Sequence, residues 1–289
     1  MGIIAGLLSM FGWGMSDFLG AIFSKKIGPL LTIFWMQIAG FLLALVYFFM
    51  NFSSLTNNTV NILKFVPLLA VCGLLNAIGY IFFFKGFRDG KVSLVSPIGG
   101  SSILIAVILS LIFLNENPQP NQLIAIILII SGIMLISINI KELLEIKKLN
   151  IFPGAKEGLV AMFCWGVLIF LLINPSRSLG WFLTVLISRL FTTLFLFFAM
   201  VAGKQEFKIH LRPPLLILLL IAGLLDVISF FAYTIGVRGE SVFIVAPIAA
   251  SYPIITVILA MIFLKEKLVW NQILGIASTL TGIILISVK

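Results

Sequence analysis

The chain has 289 residues, 61% of them hydrophobic and only 10% charged, with a mean hydropathy of +1.24. A soluble protein carries about 25% charged residues, so this composition excludes separate soluble domains and indicates a polytopic membrane protein built as one integral unit. The net charge of +9 sits in short segments with no basic helix, which excludes nucleic acid as a partner and leaves the positive residues to set membrane topology.

A membrane span takes about 20 apolar residues. The chain offers ten such runs, at about 3–23, 30–50, 63–84, 92–114, 121–140, 157–174, 180–202, 213–236, 242–264 and 269–288. The first has no basic n-region and no small-residue cleavage signature, so it reads as a retained spanning helix and not as a signal peptide. It carries Trp13-Gly14 and then Asp17, which reads either as an interfacial carboxylate near Lys25 and Lys26 or as a site residue. Gly28-Pro29 opens the second span, with proline in the tolerated first turn, and Gln37 lies in its middle. The third holds Cys72, Asn76 and Tyr80, and Gly90 joins it to the fourth in a tight hairpin.

Pro97 lies early in the fourth span, beside Ser96 and Ser101. A proline there removes one backbone donor and frees a carbonyl a turn earlier. In a membrane such a break is tolerated where it is buried or lines a cavity, so Pro97 reads as a kink or gate, or as local packing. Asn117-Pro118-Gln119-Pro120 separates the fourth and fifth spans. The charged run 141–156 links a first five-helix repeat, 1–145, to a second, 153–289. The sixth span carries Cys164 and Trp165-Gly166, and the seventh Arg189. Arg212-Pro213-Pro214 opens the eighth, which holds Asp226, Ser229 and Tyr233. The ninth holds Pro247, Ser251 and Tyr252. His210 reads as a solvated loop residue. The two cysteines read as small apolar residues, with no metal site or disulfide.

The second half repeats the first. Gly73-Leu74-Leu75 aligns with Gly223-Leu224-Leu225, and the same shift pairs Arg88 with Arg238, Pro97-Ile98 with Pro247-Ile248, Glu116 with Glu266 and Asn121-Gln122 with Asn271-Gln272. Roughly 26 of about 67 positions are identical without a gap. Trp13-Gly14 matches Trp165-Gly166 two residues out of that register. Five crossings per repeat force the second copy upside down, and inverted repeats build transporters with the substrate site between the halves. The expected fold is therefore all-α integral membrane, with ten transmembrane helices as two inverted five-helix repeats. Lysines and arginines divide about 14 to 4 between the two sets of loops. The richer set, which includes Lys25, Lys26, Lys141, Lys147 and Lys148, is assigned to the cytoplasm; the poorer set includes Arg177, Arg238 and Lys289. Both termini then face outward.

Arg189 is costly at mid-membrane, about 2.5–3.5 kcal/mol on insertion scales, so it must face the protein interior or a water-filled cavity. Anion binding or gating stands beside an internal ion pair as its role. Its repeat counterpart is Gln37, and that of Asp226 is Asn76: each charge is matched by a neutral polar group, as expected around one shared centre. Asp226 reads as a partner of Arg189, a binder of cationic groups or a proton carrier, since proton coupling is available to a carboxylate at that depth. Trp13 and Trp165 read as walls of a substrate cavity or as packing residues. Glu116 and Glu266 read as surface carboxylates or caps, with an alternating gate as the other reading. No Walker loop, HExxH or nucleophile elbow occurs, so an enzyme is not expected, nor a cofactor or a metal.

The five-plus-five layout, the two Trp-Gly steps, Val95-Ser96-Pro97, Val245-Ala246-Pro247 and the tails LNENPQPNQLIAIILIISGIML and LKEKLVWNQILGIASTLTGIIL resemble the drug/metabolite transporter superfamily, in its EamA-like ten-helix branch. The resemblance covers nearly the whole chain. It implies secondary transport of small metabolites such as amino acids, and a central cavity lined by helices 1, 3, 4, 6, 8 and 9 with helices 5 and 10 outside. Candidate substrate-binding residues under it are Trp13, Asn76, Tyr80, Ser96, Trp165, Asp226, Ser229, Tyr233 and Ser251. Gln37, Arg189, Pro97 and Pro247 are the candidate gating or charge-selective residues. Many members of the superfamily keep their termini in the cytoplasm, against the charge count here. The expected protein is an exporter of an amino-acid-like metabolite working by alternating access in the plasma membrane. A sugar-like importer and a non-transporting scaffold stand as alternatives. Its expected partners are a small-molecule substrate, the lipid bilayer and a proton or other coupling ion, and it acts as a monomer or homodimer.

Overall fold

A chain this apolar has to close its backbone hydrogen bonds within its own segments, because a bilayer core offers no water to take them. The computed structural model describes residues 1–52, 59–114, 118–137 and 153–287, and these are helical with no strand among them. In chain order the helices are α1 (Gly2–Ile27), α2 (Pro29–Met50), α3 (Thr59–Asp89), α4 (Val92–Gly100), α5 (Ser102–Phe113), α6 (Pro120–Ser137), α7 (Ala155–Leu171), α8 (Ile173–Ser178), α9 (Trp181–Ala202), α10 (Pro213–Gly239), α11 (Val242–Ala250), α12 (Pro253–Phe263) and α13 (Trp270–Ser287). They make 8 segments long and apolar enough to cross a membrane, with α4–α5, α7–α8 and α11–α12 each counted as one, plus the shorter apolar stretches Pro120–Ile136 and Trp270–Leu285. The protein is multi-pass and membrane-embedded. Large apolar side chains such as Leu42, Phe49, Phe198, Ile217 and Ile284 stand exposed around its perimeter, as a lipid-facing belt requires. Glu116, most of the linker with Lys141, Lys147 and Lys148, and Lys289 lie outside the described residues.

Packing between the two halves is reciprocal. α1 lies against α10, α11 and α12, while α7 lies against α3, α4 and α5. The Trp-Gly steps make this possible. A Cβ on Gly14 would stand 2.5 Å from the Ile255 Cβ and 2.8 Å from the Tyr252 carbonyl; on Gly166 it would stand 2.6 Å from the Ile105 Cβ and 2.8 Å from the Ser102 carbonyl. Lipid tails are as apolar as leucine, so membrane helices gain little from burying methyl groups and much from close backbone approach. Hydroxyls then stitch the backbones together. Ser9 and Ser16 on α1 donate to the Ser229 and Ala222 carbonyls of α10 at 3.0 and 2.8 Å, and Ser24 to the Phe84 carbonyl of α3 at 2.6 Å. Descending order along α10 against ascending order along α1 makes that pair antiparallel.

The fourth and ninth spans are broken where the prolines predict. α4 ends one turn after Pro97 and α11 one turn after Pro247, and the Ser101 and Ser251 hydroxyls donate to the two proline carbonyls at 3.0 and 2.8 Å. The sixth span is interrupted too, between α7 and α8 at Leu172, just ahead of Asn174-Pro175. α6 and α13 form a separate antiparallel pair: a Cβ on Gly132 would stand 2.6 Å from the Gly275 carbonyl. Asn271 and Gln272 donate to the Leu135 and Ile136 carbonyls at 2.8 and 3.0 Å, which satisfies carbonyls that the end of α6 leaves open.

Candidate functional site

Helices of both repeats leave a cavity of about 40 Å³ between them, lined by Trp13 and Asp17 of α1, Tyr80 of α3, Ser102 of α5, Trp165, Leu168 and Ile169 of α7, Phe230 of α10, and Tyr252 at the α11–α12 break. Eight of these nine fall into repeat-related pairs: Trp13 with Trp165, Asp17 with Ile169, Tyr80 with Phe230, and Ser102 with Tyr252. The cavity thus sits on the element that relates the two halves. Aromatic rings make most of its wall. Trp13 meets Phe230 edge-on at 5.0 Å and Tyr252 at 6.3 Å, and Tyr80 meets Trp165 at 5.3 Å. Among the described residues the Asp17 carboxylate has no hydrogen-bond or ion-pair partner, although the residue is only 6% exposed. The Trp165 Nε1–H and the Tyr252 hydroxyl are likewise buried without a partner.

Behind Tyr80 lies a fully buried polar cluster. Arg189 donates through Nη2 to Asp226 Oδ2 at 2.5 Å and through Nη1 to Gln37 Oε1 at 2.8 Å. The Gln37 amide donates to Asp226 at 3.2 Å, and the Tyr80 hydroxyl donates to the other Asp226 oxygen. The Arg189 guanidinium also lies 5.6 Å from the centre of the Phe230 ring, within reach of a cation–π contact. Gly40 makes room for it, since a Cβ there would stand 2.6 Å from Nη1. The guanidinium and carboxylate are thereby paired and desolvated together.

Of the residues expected to bind substrate, Trp13, Tyr80 and Trp165 line the main cavity. Asn76 lines a smaller space of about 10 Å³ with Arg189 and Ser188, and its amide donates to Thr192 at 3.4 Å. Asp226 sits in the polar cluster, reached from the cavity through Tyr80. Ser96, Ser229, Tyr233 and Ser251 are not among the cavity's lining residues. Ser229 donates to the Leu225 carbonyl at 2.7 Å, Ser251 caps its proline carbonyl, and Tyr233 packs on Trp13 with its hydroxyl 3.4 Å from the Ile169 carbonyl. Among the described residues the buried Ser96 hydroxyl has no hydrogen-bond partner. Gln37 and Arg189 come together as the repeat pairing predicts. Residue type alone does not point to Phe230, Ser102, Leu168 and Ile169, which also line the cavity; Phe230 and Ser102 are the repeat counterparts of Tyr80 and Tyr252.

Glu266 has a placement that its sequence position does not reveal. Its two carboxylate oxygens accept from the backbone N–H groups of Val92 and Ser93 at 3.2 and 3.0 Å, so a residue of the second repeat caps α4 of the first. Gln272 reaches the Ser93 carbonyl at 3.5 Å, the group that Pro97 leaves without its helical donor.

A model of the EamA-like transporter family matches residues 1–138 and 153–288. An uncharacterized protein of Methanocaldococcus jannaschii is 33% identical over 137 residues, covering 47% of this chain and 96% of that protein. A protein of known crystal structure superposes at a TM-score of 0.73 and 13% identity, covering 98% of this chain and 95% of its own, which shows a common fold. With both halves of the sequence matched and the helical, membrane-embedded architecture in place, the chain belongs to the EamA-like transporter family of the drug/metabolite transporter superfamily.

Proposed function

We propose that the protein is a secondary transporter, not an enzyme, which carries a small polar or amphipathic, amino-acid-like metabolite out across the plasma membrane by alternating access. The observation that carries this reading is the cavity between the repeats, walled by the repeat-related pairs Trp13/Trp165 and Tyr80/Phe230 and bearing one buried carboxylate. An apolar wall with a few convergent polar groups is the usual form of a small-molecule site. At about 40 Å³ it admits a few waters, so a metabolite enters only when the bundles part.

The reading takes ten crossings in two inverted repeats, 1–145 and 153–289. Helix directions support it. The start of α1 meets the end of α10, with the Met1 amino group 3.7 Å from Glu240 and Ser9 bonded to Ser229, while the end of α1 meets the end of α3 through Ser24 and Phe84. The corresponding helices α3 and α10 therefore finish at opposite ends of the bundle. Lys25 and Lys26 then belong to the cytoplasmic side and both termini to the outside. In the same reading Trp13, Tyr80 and Trp165 contact substrate, and Asn76, Asp226, Ser96, Ser229, Tyr233 and Ser251 join them as the cavity widens. Gln37 and Arg189 set charge preference, and Pro97 and Pro247 let the broken spans flex.

Counterflow in proteoliposomes tests it. Vesicles loaded with an unlabelled amino-acid mixture should accumulate labelled aromatic or aliphatic amino acids, and Trp165→Ala should lose most of that exchange. Exchange of polyols in their place would turn the substrate class to sugars. No exchange and no thermal shift with any solute would sink the carrier reading.

A further inference from the structure

The cavity and the polar cluster behind it hold two carboxylates, Asp17 and Asp226, and one guanidinium, Arg189. Asp226 is fully engaged by Arg189, Gln37 and Tyr80. Asp17 is left over. An isolated carboxylate anion away from water is very costly, so Asp17 needs either a counter-cation or a proton. Among the described residues no cation pairs with it. The titratable groups around it are Tyr80 from α3, Tyr252 at the α11–α12 break and Asp226 from α10, with Arg189 of α9 behind and already paired; α4, α11 and α12 bring no titratable residue, and α2 brings only Tyr47, which stacks on Trp181 and Phe182.

What surrounds Asp17 is what a cation uses. Trp13, Tyr80, Trp165, Phe230 and Tyr252 share its cavity, and aromatic faces attract a desolvated cation. The charge lies on one side only, because the repeat counterpart of Asp17 is Ile169. Two donors in the same wall, the Trp165 N–H and the Tyr252 hydroxyl, are buried with no acceptor among the described residues. Buried polar groups are rarely left so, which marks this wall as unfinished without a ligand.

We propose that this cavity is an ammonium site: Asp17 is the counter-ion of a protonated amine borne on an apolar or aromatic body, exchanged against a proton on the same carboxyl. The proposal rests on the transport reading above and names its substrate class. When the ammonium enters, the Asp17 O–H bond breaks, the carboxylate pairs with the amine, and the proton leaves to bulk water; when the amine departs, a proton from solvent returns. One positive charge replaces another, so the buried charge balance is the same in both states.

The test uses the purified full chain in detergent, followed by tryptophan fluorescence, with phenethylamine as probe and 2-phenylethanol as its neutral counterpart of similar shape. Phenethylammonium should bind at least tenfold more tightly than the alcohol, and more tightly as pH rises through the range where the carboxyl loses its proton. In weakly buffered solution an indicator dye should register about one proton released per amine bound. Asp17→Asn should lose the preference for the amine and the proton release while still admitting the alcohol, and Asp17→Glu should keep both. Should Asp17→Asn fail to fold, the comparison of amine with alcohol and the proton count on the unaltered protein still decide. Equal affinity for amine and alcohol, no proton release, or a folded Asp17→Asn that binds the amine like the parent overturns the proposal. Proteoliposomes separate the two failures: exchange of amino acids with no role for Asp17 sinks the ammonium site and keeps the carrier, whereas no exchange of any solute sinks the carrier.

Discussion

Arg189 is tolerable when buried because it is held from two sides, donating to Gln37 on α2 and to Asp226 on α10. Both members of the ion pair are 3% exposed. Removing one partner of such a pair strands a desolvated charge and costs about 3–5 kcal/mol, while replacing both with apolar residues is often nearly neutral. Asp226→Asn should therefore lower the unfolding midpoint in detergent sharply, and Asp226→Leu combined with Arg189→Met should recover most of the loss. An equal loss in the double variant would show that the cluster stabilises through its hydrogen bonds and not through charge balance. The repeat made this meeting legible, since Gln37 aligns with Arg189 and Asn76 with Asp226. It did not reveal that Asp17, close to the lysines in sequence, turns inward, because a carboxylate fourteen or so residues along a span of about 20 reads equally well as interfacial until the neighbouring helices are placed.

At the scale of elements, the broken spans are held by residues from the other half. Glu266 caps α4 through Val92 and Ser93, and Gln272 takes up the carbonyl released by Pro97. Loss of a helix cap costs about 0.5–2 kcal/mol, so Glu266→Ala should lower stability by that order and Glu266→Gln by less, read by thermal unfolding. The Trp-Gly steps make a stronger demand. With a Cβ on Gly166 already 2.8 Å from the Ser102 carbonyl, Gly166→Val forces α7 away from α5 and should cost about 1–3 kcal/mol or more, with Trp165 displaced from the cavity wall and its fluorescence altered. Prolines and glycines announced these breaks and approaches in the sequence. The partner of each did not show, because a side chain's reach across 174 residues of chain from Glu266 to Val92 is decided by which helices lie together.

Across the whole molecule, the two halves exchange partners: α1 takes the broken span of the second half and α7 that of the first. An inverted arrangement puts repeat-related positions on opposite faces of the membrane. Lys26 and Ser178 are such a pair, and both are exposed. The natural cysteines, Cys72 and Cys164, are buried, so they give little background to a membrane-impermeant maleimide. In intact cells Ser178→Cys should label from outside and Lys26→Cys only after permeabilisation. Labelling of both from one side would defeat the inverted arrangement and the alternating access built on it.

Hydropathy, the repeat and the proline-glycine punctuation were enough to establish membrane class, eight of the expected spans and the likeness of the two halves, because each is a property of local chain chemistry: a segment is apolar or it is not, and a proline lacks its N–H wherever it stands. Which polar groups are spent on one another and which stay unpaired among the described residues was decided only by tertiary packing. Asp17 and Asp226 are the same residue type and both are buried. One has its charge cancelled by a guanidinium delivered from α9 and the other faces an aromatic hollow, and that difference exists only once helices from both halves are side by side.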